Sequence, residues 1–210
     1  MKDRYYFVIF PMLLILTRIR YINNIYDVIS YLLFGVVNYA ISIVLFIKMK
    51  RMSDVNLKKI IILILSLVSL DQLIKLIIDR YDINVNILGK LFRIEPTKNM
   101  EQNAALNFLK IDLDDSLIIV FKLLLIFILF GMYFIVKNKN RNYMSVFILL
   151  MSAAIVTLID SVFWGYTLDY IYFNKLTCYD LKDFYVDTAI GFILMEQFGG
   201  IKIGKVRCVD

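Results

Sequence analysis

Histidine is absent from this chain. That removes the imidazole, the usual general base near neutral pH and a frequent metal ligand. Cysteine is nearly absent too: Cys178 and Cys208 are the two present. The first falls in a loop read as outside the membrane and the second in a tail read as inside, so pairing and a disulfide framework are not expected. No cluster with metal-ligand spacing stands out. Acid–base work in this chain therefore falls to carboxylates.

What the chain has in excess is apolar surface. It is 60% hydrophobic with mean hydropathy +0.73, against about 45–50% apolar for a soluble domain. Long apolar runs recur along its whole length, the pattern of a polytopic membrane protein. The net charge of +6 does not point to nucleic acid, because the basic residues cluster in short loops beside the runs. No small-residue cleavage site follows the first run, so that run is expected to be retained.

Six runs can be drawn: Tyr5–Thr17 (extendable through Ile22), Val28–Ile47, Ile60–Ile78, Leu117–Val136, Tyr143–Phe163 and Asp187–Ile203. The first is short for a span, and an interfacial helix is its alternative. Basic loops at 48–59 and 137–141 and a basic tail at 202–207 place those segments inside. The polar stretch 79–116 and the loop 164–186 then both lie outside. The first stretch, with Gly89, Pro96 and alternating apolar residues, reads as a small β-rich element. Arg18 and Arg20 are the charges that disagree with this orientation.

The orientation gathers four carboxylates at one outer layer: Asp71, Asp160, Asp169 and Asp187. Ionisable groups beside or within membrane spans are costly and usually functional. Each has a plainer reading. Asp71 and Lys75, four apart on a helix, can form an ion pair that only fixes packing. Asp160 can serve as a polar cap or interhelical hydrogen bond. Asp169 can be a solvated loop residue, and Asp187 an N-cap at the start of the last span. Asp180 and Asp183, just upstream, read as solvated loop charges. Asp169 and Asp187 together are the sharper reading, since two converging carboxylates can share one proton and activate water.

Four blocks in order resemble the bacterial lipoprotein signal peptidase (signal peptidase II) family. They are Asp71-Gln72-Leu73-Ile74-Lys75 for D-Q-x-x-K, and Glu101-Gln102-Asn103-Ala104-Ala105-Leu106 for N-x-G-A-A-F. Then come Thr157-Leu158-Ile159-Asp160-Ser161 with Gly165-Tyr166-Thr167-Leu168-Asp169-Tyr170-Ile171, and Val186-Asp187-Thr188-Ala189-Ile190. The likeness covers roughly residues 58–205. Departures fall at Glu101, Asn103, Thr157, Ser161 (where the family carries Arg) and Phe184 (where it carries Asn).

The resemblance implies an all-α polytopic membrane protein. Its four-helix transmembrane core, residues 51–210, carries the small extracytoplasmic β-rich element (79–116). A two-helix hairpin, residues 1–50, is added at the N-terminus. The resemblance also implies Asp169 and Asp187 as catalytic aspartates, supported by Asp71, Lys75, Glu101, Asn103 and Asp160, with no metal and no cofactor. The implied reaction is hydrolysis of the signal peptide of a diacylglyceryl-modified prolipoprotein. It takes place in the bacterial cell membrane, among membrane lipids and with the site facing outwards. Two other classes stay open: a substrate-shifted or non-catalytic paralogue that binds lipoproteins or lipid, and a small transporter using the acids as an ion path. The hairpin, whose polar residues form no acid–base constellation of their own, is expected to be dispensable for chemistry.

Overall fold

The computed structural model describes residues 2–50, 56–89, 91–99, 114–139, 141–174 and 176–199. Six helices dominate: α1 (Tyr6–Arg18), α2 (Ile25–Lys50), α3 (Leu57–Tyr81), α4 (Asp115–Val136), α5 (Arg141–Ile159) and α6 (Leu181–Phe198). Four of them, α2 to α5, are long and apolar enough to cross a membrane. The first expected span is a helix of 13 residues, about 20 Å long at 1.5 Å per residue, short of a core of about 30 Å. The last, α6, has 18 residues and carries Lys182, Asp183, Asp187 and Glu196; neither meets the length-and-composition measure that α2 to α5 meet.

The helices divide by what they face. α4 is apolar nearly all round and the least buried of the four spans, with Phe121, Phe127 and Phe134 outward; that suits a lipid-facing helix. α5 is the most buried span. Its Leu149 and Val156 are fully enclosed, in one core with Tyr185, Ala189 and Phe192 of α6 and Ile60, Ile64 and Leu67 of α3. The hairpin joins this core directly. Phe7 of α1 meets Phe192 edge-on at 5.3 Å and Phe46 of α2 at 5.2 Å. A Cβ on Gly191 would lie 2.8 Å from Cε1 of Phe7, so α1 sits over α6 at a place only glycine leaves open.

The two polar stretches expected outside form one four-stranded antiparallel sheet. Its order is β1 (Val85–Asn86), β2 (Phe92–Asn99), β3 (Thr167–Phe173) and β4 (Thr177–Tyr179). Ile94 pairs with Ile171 and Thr97 with Asp169, leaving a register shift around Pro96. A proline cannot donate to the ladder, and a bulge is where a sheet tolerates one.

The last helix begins earlier than the hydrophobic pattern indicates. Asp180 caps α6, accepting from the Asp183 backbone N–H, while the Asp183 carboxylate accepts from that of Asp180. This reciprocal capping box corrects two expectations. Asp187 does not cap the last helix but lies well inside it. Asp180 and Asp183 are not solvated loop charges; Asp180 is fully buried.

Candidate active site

Strand periodicity explains which way Asp169 points. Side chains alternate along β3. Leu168 and Tyr170 pack with Ile78 of α3, while Thr167 and Asp169 face a cavity of about 840 Å³. On α6, Asp183 and Asp187 lie one turn apart and both line the same cavity. Thr97, Asn99, Cys178, Tyr179 and Lys182 complete its polar side, and Phe10, Leu14 and Arg18 bring α1 to its wall. The structure thus sets Asp169 and Asp187 on one cavity.

Each of these carboxylates has an asparagine amide on its Oδ2 atom. Asn99 Nδ2 of β2 donates to Asp169 at 3.2 Å. Asn38 Nδ2 of α2 donates to Asp187, and the Tyr179 hydroxyl also donates to that carboxylate. The hairpin therefore reaches the candidate site through Asn38. Asp169 has a cation close by: Lys182 Nζ is 3.9 Å from its Oδ1. Burial pushes the Asp169 carboxyl up to about 6, Lys182 pulls it down and Asp180 pushes it up.

Behind the cavity lies a buried ionic network. Lys75 pairs with Asp71 at 3.0 Å, and with Asp160 and Asp180 at 2.7 Å each. Lys182 Nζ also bonds Asp180, and its backbone N–H donates to Asp71 at 3.1 Å. Gln72 Nε2 donates to Asp160 at 3.0 Å, and Trp164 Nε1 donates to Gln72. The expected Asp71–Lys75 pair is present and is the centre of a larger network. Asp160 opens a π-helical turn, Asp160–Trp164, that continues α5; its bonds run between helices rather than to a helix end. Such networks survive burial only when every charge is paired. At Ser161, Lys122 of α4 donates to the hydroxyl and, at 3.3 Å, to the Thr157 carbonyl.

Glu101 and Asn103 lie outside the described residues. Among the described residues, Asp169, Asp180 and Asp183 bring one oxygen each within 4.8 Å of one another, the one carboxylate trio close enough to hold a cation. The Lys182 ammonium already stands at Asp180 and Asp169. Sequence reasoning missed Asn38, Asn99 and Lys182. Asn38 did leave a signal, an amide in the middle of the apolar run VVNYAIS; Lys182 left none, since nothing local ties it to Lys75.

The family model described as signal peptidase (SPase) II matches residues 60–199. A lipoprotein signal peptidase from Caldicellulosiruptor bescii is 28% identical over 143 residues, covering 66% of this chain and 91% of that protein. Two bacterial membrane enzymes solved by the in meso method share the fold. One, at 2.3 Å resolution, has TM-score 0.57 and 17% identity over 73% of this chain and 96% of the other. The second, at 1.9 Å, has TM-score 0.59 and 15% identity over 69% and 96%.

Proposed function

The chain belongs to the signal peptidase II family, a family of membrane hydrolases, and we propose that it removes the signal peptides of diacylglyceryl-modified prolipoproteins with Asp169 and Asp187 as its catalytic pair. The observation that carries this reading is their shared cavity, into which both carboxylates are directed from separate elements.

Lys182 favours the ionised form of Asp169, so Asp169 takes the proton of water. The hydroxide adds to the scissile carbonyl carbon while Asp187, protonated, gives its proton to the carbonyl oxygen. The proton on Asp169 then passes to the leaving amine as the C–N bond breaks. The re-forming carbonyl returns a proton to Asp187. The lipid chains lie in the bilayer between helices, and the sheet closes over the polar end at the outer face of the bacterial cell membrane.

Asp169→Asn and Asp187→Asn, reconstituted in lipid with a diacylglyceryl-modified prolipoprotein, test the pair. Amide replaces acid at nearly equal size, so cleavage should fall by at least about 10²–10⁴-fold on either change while thermal unfolding is little altered. Near-normal turnover in either variant would remove that residue from the mechanism. A wild-type protein that binds the substrate without cutting it would make this a non-catalytic member.

A further inference from the structure

The proposed catalytic carboxylate Asp187 is bonded to a residue outside the family-matched region. That region starts at residue 60, whereas Asn38 lies midway along α2. The contact closes a ring of polar groups between α2 and α6. Thr188 Oγ1 donates to the Phe184 carbonyl at 2.7 Å and lies 3.0 Å from Ser42 Oγ, Ser42 Oγ donates to Asn38 Oδ1 at 3.4 Å, and Asn38 Nδ2 to Asp187 Oδ2. Asn38, Ser42 and Thr188 are each at most 1% exposed.

The ring fixes which way the amide points. A hydroxyl donating to Oδ1 of Asn38 turns its NH₂ group toward Asp187; the flipped amide would set its oxygen against Oδ2, the carboxyl oxygen that carries no proton when the other one faces the substrate. A buried amide in an apolar span is costly unless bonded, and here each end has a partner. α6 offers no equivalent group on that side: Phe184, three residues before Asp187, is fully buried among Phe34, Phe173 and Tyr179.

We propose that Asn38 is a positioning residue for the reaction, holding Oδ2 of Asp187 by its amide so that the other carboxyl oxygen addresses the substrate carbonyl. The N-terminal hairpin then supplies part of the machinery, through a neutral donor that adds no buried charge. This rests on the proposed aspartate pair, and the test separates the two.

Asn38→Leu keeps the volume and removes the donor. Cleavage by the full-length protein in lipid should show kcat lowered about tenfold, the upper end for loss of a hydrogen bond between neutral groups, with KM unchanged. Ser42→Ala, which frees the amide to turn, should lower kcat less, by a few-fold. Ser30→Ala is the control. It removes another hairpin anchor, the 2.9 Å bond to the Leu91 carbonyl, and should lower thermal stability while leaving kcat unchanged. Equal kcat in Asn38→Leu and wild type, or an equal loss in Ser30→Ala, overturns the proposal. If wild type itself does not cleave, the functional reading fails, but the contact can still be read. The infrared carboxyl band of Asp187, assigned by its disappearance in Asp187→Asn, should move in Asn38→Leu; an unmoved band overturns the proposal.

Discussion

The family-matched core and the hairpin before it hold the candidate site by different means. The core does so with charge: Asp71, Lys75, Asp160, Asp180 and Lys182 form one buried ionic group beneath Asp169. The hairpin does so with neutral donors, Asn38 and Ser42. A buried ion is tolerated only with a complete set of partners, and those partners must come from helices already packed together. An added helix can reach the same site more cheaply with an amide, which carries no net charge to desolvate. The core should therefore fail by unfolding when one charge is removed, and the hairpin should fail locally.

The largest test of this contrast is Lys75→Met. It leaves Asp71, Asp160 and Asp180 without their shared cation, and only Lys182 remains for Asp180. Breaking a buried pair typically costs about 3–5 kcal/mol, so thermal unfolding in lipid should drop far below wild type. A cost under about 1 kcal/mol would show that the network is not what holds α3, α5 and α6 together.

Next is Gly191→Ala, at the seam between the two regions. The new methyl meets the Phe7 ring, which Phe46 and Phe192 box in, and overpacking of this kind costs about 1–3 kcal/mol. Unfolding midpoints should fall, and shortening the ring in Gly191→Ala with Phe7→Leu should restore part of the loss. No recovery would place the strain within α6 rather than between α6 and the hairpin.

Lys182→Met addresses the ionised member of the pair. Because Asp169 is raised to about 6 from 3.8, the folded protein holds its proton more tightly than the unfolded chain. That group's contribution to stability is complete below about pH 4 and lost as pH rises through about 6. Activity runs the other way, since the base must be ionised: kcat/KM should rise with pH through about 6. Removing the ammonium moves this limb to higher pH, with about a tenfold loss on the acid side for each unit moved. A limb that stays in place would dismiss Lys182 as the residue that holds Asp169 ionised.

How much of this could be read from residues alone follows the range of the interactions. The four long spans were legible because hydropathy is local, and Asp71 with Lys75 because four residues make one helical turn. The start of α6 was not, because Asp187 looked like a cap to a hydrophobic-run reading while the actual cap, Asp180, begins a stretch too polar to register as a span. The sheet was half legible: β-rich character in 79–116 was visible, but its pairing with Thr167–Phe173 joins segments some seventy residues apart. The Asn38–Asp187 bond, 149 residues apart in sequence, has no local signature beyond one amide in an apolar run.

The smallest effect is expected at the other polar anchor of the hairpin. Asp27, fully buried at the start of α2, accepts from the Asn23 backbone N–H and from Asn174 Nδ2, each at 2.9 Å. Asn174 follows β3, so this contact docks the hairpin to the sheet without touching either Asp169 or Asp187. Asp27→Asn keeps one carbonyl acceptor and gives up the other, so it should cost about 1 kcal/mol in thermal unfolding and leave kcat at the wild-type value. Set beside Asn38→Leu, it separates two ways in which a hairpin can matter. If docking alone governs the site, the two variants lose turnover in proportion to their lost stability. If the Asn38 amide acts on Asp187 itself, Asn38→Leu loses turnover out of proportion and Asp27→Asn loses none. A fall in kcat for Asp27→Asn as large as for Asn38→Leu would mean that the hairpin serves the core only by staying in place.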